Sequence, residues 1–276
     1  MDEHIIEAMG KAKVIIRDGK VVEVGEPQIE YCPLFHKYRG IEEITKETIK
    51  ENMEFRINSF GMCTPSREVE IADLLSFGVS ETLSTLLKEE IIDCVVMVCD
   101  GCGTVLVKEP EKAQGIGGRV SGYVKTSPIP EIIENVGKEN VLNPKTAEIN
   151  QIAGLSLAIK KGYKSIAVTI ASAEDGKKLR EIEKENKDIE VYIFSVHSSG
   201  INNTEAEDLS KYCDVSTGCA SKCMRDKGEN NAIFKVGESI PIFAFTENGK
   251  FFLEKRLEKI GKKEKKKDPK IPKPLI

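Results

Sequence analysis

The chain has 276 residues, 40% hydrophobic and 31% charged, with a formal net charge of −4. That length supports a large core in one or two domains, and the near balance of charge, with no strongly basic folded segment, speaks against nucleic acid as a partner. No apolar run approaches the ~18–20 residues of a membrane span, and Met1-Asp2-Glu3-His4 lacks the basic-then-apolar pattern of a signal peptide, so a cytoplasmic protein with no membrane partner is expected.

In chain order, Val14–Arg17, Asp18-Gly19 and Lys20–Val24 read as a β-hairpin, because Asp-Gly suits a type I′ turn. Ile41 to Met53 carries the helical spacing Ile41, Ile44, Ile49, Met53. Two Cys-Pro segments, Cys32-Pro33 and Cys63-Thr64-Pro65, fall in expected loops. Together these form a small N-terminal α+β region over residues 1–73. From Leu74 the pattern changes. A helix capped by Ser80 runs to about Glu90, and strands are expected at Asp93–Cys99, Ser165–Ala171, Glu190–Val196, Asp214–Thr217, Ala232–Val236 and Ile240–Phe245. Helices Ala147–Lys161, Ala173–Asn186 and Glu205–Tyr212 separate several of them. Continuous apolar strands alternating with amphipathic helices predict an α/β domain over 74–260, a mostly parallel sheet flanked by helices. The tail, 261–276, is rich in Lys and Pro without apolar periodicity and is expected to be disordered.

In the cytoplasm the eight cysteines read as core thiols, metal ligands or redox groups rather than as disulfides. Val98-Cys99-Asp100-Gly101-Cys102-Gly103 is the most chemical segment, since its glycines let backbone amides turn toward two sulfurs and favour thiolate. At ~3.3 Å per strand residue, Cys94 stands roughly 16 Å from Cys99, which makes it a core thiol; Cys213, at a strand start, is another. Cys99, Cys102, His197, Cys219 and Cys223 all fall at strand C-termini, where open α/β sheets bind ligands near a switch in strand order. If Thr217–Cys223 opens a helix, Cys219 and Cys223 share one face at i and i+4, and the helix dipole lowers the Cys219 pKa. Cys32 and Cys63 either complete such a site or simply pack.

Gln114–Gly122 is the other unusual segment. Gly115, Gly117 and Gly118 offer amides for an anion, with Arg119 supplying charge and Ser121 a donor, although nucleotide-loop spacing is absent. A structural glycine turn explains the same residues.

The chain resembles the methanogenesis marker protein 8 family, a domain of unknown function of methanogenic archaea. The resemblance rests on Ile29–Pro33, Phe60–Pro65, Leu75–Leu86, Val98–Val105, Gln114–Gly122, Val168–Asp175 and Tyr192–Gly200, and spans nearly everything but the tail. It implies a role tied to methane metabolism and, among the cysteines, gives most weight to Cys32, Cys63 and Cys99. The leading expectation is a cytosolic accessory protein holding a [4Fe-4S] cluster, or alternatively zinc, on Cys99 and Cys102. Cys219 and Cys223 close the site or Cys32 and Cys63 substitute, His197 lies nearby, and the protein helps a methanogenesis enzyme or its activation machinery. The rival is an enzyme acting on a small anionic substrate at the sheet edge, with Cys99 as nucleophile or redox thiol. A third reading is a protein-docking scaffold.

Overall fold

The structure, a computed structural model, describes residues 2–74, 76–119, 122–261 and 270–276. The N-terminal unit begins with β1 (Glu3–Glu7), β2 (Lys13–Arg17) and β3 (Lys20–Val24), followed by α1 (Pro33–Arg39) and α2 (Lys46–Phe60). The β2–β3 hairpin is the one expected: Asp18 and Gly19 both hold positive φ, 47° and 70°. The second helix starts later than the apolar spacing suggested, because Thr45 and Thr48 form a reciprocal capping box. It ends on Gly61 at φ 73°, where an added Cβ would sit 2.3 Å from the Ser66 carbonyl oxygen.

The chain continues through α3 (Val79–Lys88), β4 (Cys94–Cys99), β5 (Gly103–Val107), α4 (Pro110–Gly117) and β6 (Gly122–Lys125). Then come α5 (Pro130–Val136), α6 (Gln151–Lys160), β7 (Ser165–Ile170), α7 (Ala173–Glu185), β8 (Glu190–Ser195), α8 (Asn203–Tyr212) and β9 (Val215–Thr217). The last elements are α9 (Lys222–Asn231), β10 (Phe234–Val236), β11 (Ile242–Ala244) and α10 (Glu247–Ile260). Gly78 rather than Ser80 stands at the N-cap of α3, and the Ser80 hydroxyl instead donates to Glu81.

Two sheets result. The larger has the order β10-β11-β9-β8-β7-β4-β5, with β4, β7, β8 and β9 mutually parallel and the outer strands antiparallel. The expected α/β architecture is therefore present, although the four parallel strands follow chain order and contain no reversal. Right-handed crossovers in one direction put successive helices on one face. Accordingly Leu155, Leu179 and Leu209 of α6, α7 and α8 pack with Val96, Ile166, Val168, Val191 and Ile193. The alternate strand residues, Val95, Met97, Ala167, Tyr192 and Phe194, meet α3, α4, α5 and α10 on the other face. Cys94 and Cys213 are core thiols as expected; burial pushes the Cys94 thiol up to about 12 and the Cys213 thiol up as well.

The smaller sheet has the order β3-β2-β1-β6, all antiparallel. Its fourth strand comes from beyond residue 73, so the two units are not separated by one cut in the sequence. Its core packs Ile6, Val14 and Ile16 against Ile49, Met53 and Phe60 of α2. The expected disordered tail differs at its end. Residues 262–269 lie outside the described residues, whereas 270–276 form a strap. Lys273 exchanges backbone hydrogen bonds with Tyr31, Ile276 donates to the Ala220 carbonyl, and Lys222 donates to the Ile276 oxygen. Backbone pairing of this kind needs no apolar periodicity.

Candidate functional site

The Cys-x-x-Cys segment is the turn of the β4–β5 hairpin. Cys99 pairs with Gly103 at its base, and Gly101 and Gly103 hold φ of 74° and 72°, which only glycine adopts without strain. An added Cβ at Gly103 would lie 2.2 Å from the Ala147 carbonyl oxygen, so the hairpin is wedged against the chain leading to α6. The hairpin was missed in the sequence because Gly103–Val107 reads as the tail of one long apolar run.

Asp100, inside this turn, organises the centre. It is 1% exposed, its Oδ2 accepts the Cys63 amide N–H at 2.7 Å, and Arg67 Nε donates to its two oxygens at 3.0 and 3.2 Å. Arg67 also donates to the carbonyls of Glu68 and Gly115. Burial alone would lower the Arg67 pKa, but Asp100, with Cys99 and Tyr123, overcomes it and raises the value. The pair is fully enclosed.

Three thiols surround the pair. Cys63, Cys99 and Cys102 are all completely buried. Contact with Cys102, then burial, then the Asp100 charge raise the Cys99 thiol well above its ordinary range. Burial and the same carboxylate do so for Cys63, whose Sγ lies 4.0 Å from the Tyr123 hydroxyl. At neutral pH Cys63 and Cys99 are thiols, not thiolates.

A set of partly exposed polar groups faces them. Arg56 comes from α2, Tyr123 from β6, and His197 from the end of β8, so three separate elements meet here. Burial lowers the Arg56 pKa, and Tyr123, Arg67, Asp100 and Cys63 all act on it electrostatically. Burial, followed by Asp100 and Cys63, raises Tyr123. His197, at φ 57°, is pulled down to about 4 by burial and then by Arg56, so it is neutral at physiological pH. Its ring stands close to Gly122, where an added Cβ would be 3.9 Å from its Cγ. Arg56, Tyr123 and His197 thus keep some solvent contact and are nevertheless desolvated where the two units meet.

The turn is also tied to the N-terminal sheet. Thr126 Oγ1 accepts the Gly101 N–H at 2.8 Å and lies 2.6 Å from His4 Nδ1, while His4 Nε2 is 2.7 Å from Asp2 Oδ1.

The other expected residues separate from this centre. Gly115 and Gly117 lie in α4 instead of a glycine turn, and they serve close packing: an added Cβ would be 2.3 Å from the Val69 carbonyl oxygen and 2.8 Å from Ser80 Cβ, respectively. Gly118 caps that helix, Arg119 pairs with Glu68 at 3.1 Å over the Phe60 ring, and Ser121 lies outside the described residues. Cys219 and Cys223 do not share a helix face, since α9 begins at Lys222 with Ser221 as its N-cap and leaves Cys219 in the loop before it. Cys219 neighbours Cys32 instead, with Arg225 acting on both sulfurs. Among the described residues no three His, Cys, Asp or Glu side chains are grouped to hold one metal ion. Among the described residues Cys219 and Cys223 are therefore not grouped with Cys99 and Cys102. Arg56, Arg67 and Tyr123 were missed because nothing local marks an isolated Arg or Tyr as functional; an Asp inside a Cys-x-x-Cys was the available signal.

Residues 4–258 match the family described as an uncharacterized protein conserved in archaea, DUF2099. The chain belongs to this family. It is 48% identical over 265 residues to a protein of Methanocaldococcus jannaschii described as Uncharacterized protein MJ0054, covering 95% of this chain and 93% of that one. No solved structure matches. Among the described residues, no helix is long and apolar enough to cross a membrane.

Proposed function

We propose that this protein binds a small anionic molecule where its two units meet and acts on it there. The observation that supports this reading is the convergence of Arg56, Tyr123 and His197 beside an already neutralised Arg67–Asp100 pair. Arg56 brings a guanidinium to a desolvated setting beside Tyr123, where a contact with an anion is strong. Tyr123 donates a hydrogen bond, neutral His197 accepts a proton, and Cys63 and Cys99 present protonated thiols. In the resting protein neither Cys63 nor Cys99 is a poised nucleophile, which moves the chemistry here toward binding and proton transfer.

The test is thermal unfolding of wild type and Arg56→Gln in inorganic phosphate, acetate and succinate. Binding at 100 times the Kd adds about 2.7 kcal/mol, a shift of several degrees for a domain of this size. The reading requires a saturable shift in wild type that Arg56→Gln abolishes; an equal shift in both, or none in either, overturns it.

A second reading keeps the metal. Cys99 and Cys102 touch, and the Cys63 amide shares Asp100 with the turn that carries them. On this reading the protein is a cytosolic iron–sulfur or zinc accessory of a methanogenesis enzyme, and the archaeal family is the methanogenesis marker protein 8 family. Iron, zinc and acid-labile sulfide measured on one anaerobically purified sample decide it: stoichiometric metal supports the accessory reading, and its lack after reconstitution rejects it.

A further inference from the structure

The strap over residues 270–276 brings two distant parts of the chain together. Lys273 accepts from the Glu30 and Tyr31 amides at 2.7 and 2.9 Å, and three residues later Ile276 donates to the Ala220 carbonyl at 2.8 Å. Three residues of extended chain span at most about 10 Å. Tyr31 and Ala220, and with them the adjoining Cys32 and Cys219, are thus neighbours across the boundary between the two units. The immediate surroundings of both sulfurs are polar. Amides of Leu34 and Phe35 bond the Cys32 sulfur, and the Thr217 hydroxyl lies 3.2 Å from Cys219 Sγ. The Arg225 guanidinium grips the Cys219 carbonyl at 2.7 and 2.9 Å and the Ser239 carbonyl at 2.7 Å, facing both thiols. Cys219 is held at φ 38°, a left-handed conformation that a non-glycine residue keeps only when its surroundings impose it. Both cysteines are half-buried, as is Cys223 on α9, so a small reagent reaches them, unlike the five buried cysteines of the cores and the Asp100 turn.

We propose that Cys32 and Cys219 are a redox-active dithiol that closes to a disulfide across the two units by exchange with a low-molecular-weight disulfide. The Cys219 thiol loses its proton to solvent, and its sulfur attacks one sulfur of R–S–S–R. A Cys219–S–S–R mixed disulfide forms and R–S⁻ leaves to be protonated. Cys32 then gives up its proton and attacks the Cys219 sulfur, expelling the second R–S⁻. Two protein thiols are oxidised by two electrons and one small disulfide is reduced to two thiols. Burial raises the Cys32 pKa, and the Phe35 and Leu34 amides with Arg225 act against that rise, which suits Cys32 to the second, intramolecular step. The pair is separate from the Arg56 site, so the inference stands independently of the function proposed there.

The experiment uses the full chain, reduced and kept anaerobic, then treated with oxidised glutathione, quenched in acid, alkylated and mapped as unreduced peptides. The expected product is a Cys32–Cys219 cross-linked peptide in wild type and equally in Arg56→Gln. Cys32→Ser should lose the cross-link and carry glutathione on Cys219 instead. A wild-type map with Cys32 and Cys219 free, or each bearing only glutathione, overturns the proposal, as does a Cys99–Cys102 disulfide formed in their place. The wild-type map decides the matter even if a serine variant fails to fold.

Discussion

Arg67 and Arg256 are both fully buried and both paired with an aspartate, yet they sit in opposite kinds of surroundings. Arg256, on α10, donates to Asp73 at 2.8 and 3.0 Å, to the Ser76 carbonyl at 2.7 and 2.9 Å and to Thr85 Oγ1 at 2.9 Å. Its neighbours are acceptors, and Lys259 shares the carboxylate at 2.7 Å. Arg67 is satisfied as completely, but its carboxylate partner also holds the Cys63 amide and faces Cys99, Tyr123 and Arg56. One ion pair fastens a helix to the segment before α3; the other lies among the partly exposed polar groups where the two units meet. A buried ion pair therefore says little about function by itself, and what identifies the site is which half-exposed titratable groups the pair faces.

The sharpest way to break this comparison is to remove each pair. Asp100→Ala strands a buried guanidinium and should cost about 3–5 kcal/mol in urea unfolding, while speeding alkylation of Cys63 and Cys99. Arg256→Met should cost about 2–3 kcal/mol and leave both thiol labelling and any anion response unchanged. An altered anion response in Arg256→Met would erase the distinction between the two regions.

His197 sharpens it through pH. Its pKa in the folded protein, about 4, lies below the ordinary histidine value, so the unfolded chain binds the proton more tightly. The stabilisation is complete above the ordinary value near ~6.5 and is lost as pH falls from there toward 4, by about 1–3 kcal/mol. His197→Asn keeps a residue type that tolerates positive φ and should flatten that part of the profile. The smallest effect concerns the link to the N-terminal sheet. Thr126→Val leaves the Gly101 N–H without its acceptor and should cost about 1–2 kcal/mol, with faster amide exchange at Gly101 and Cys102 and none at the Arg256 seam.

The strands of the large sheet were legible because each is a short β-branched run, as in Val95-Val96 or Ile166-Ala167-Val168, closed by a polar residue. The β2–β3 turn was legible because Asp18-Gly19 is a local signal. Gly115 and Gly117 misled because closely packed helices and anion loops use glycine for the same reason, the lack of a Cβ, and only the neighbouring backbone at Val69 tells them apart. Cys99 and His197 were found at the correct sheet edge, yet what surrounds them was not. The contacts of Arg56, Arg67 and Tyr123 are long-range, made by a β-strand that leaves one unit to join another, and no sequence window contains them.

That strand has a consequence for how the polypeptide is made. β1 pairs with β2 almost at once, but its other edge waits for Gly122–Lys125, more than a hundred residues downstream. Until then a nascent chain exposes an unpaired edge at Glu3–Glu7, the kind of template on which strands of other chains assemble. The first unit is completed only after β4, β5 and α4 have been synthesised, so the site and the sheet beneath it are finished together. A fragment ending at residue 73 would then be a three-stranded intermediate prone to association rather than an excisable module.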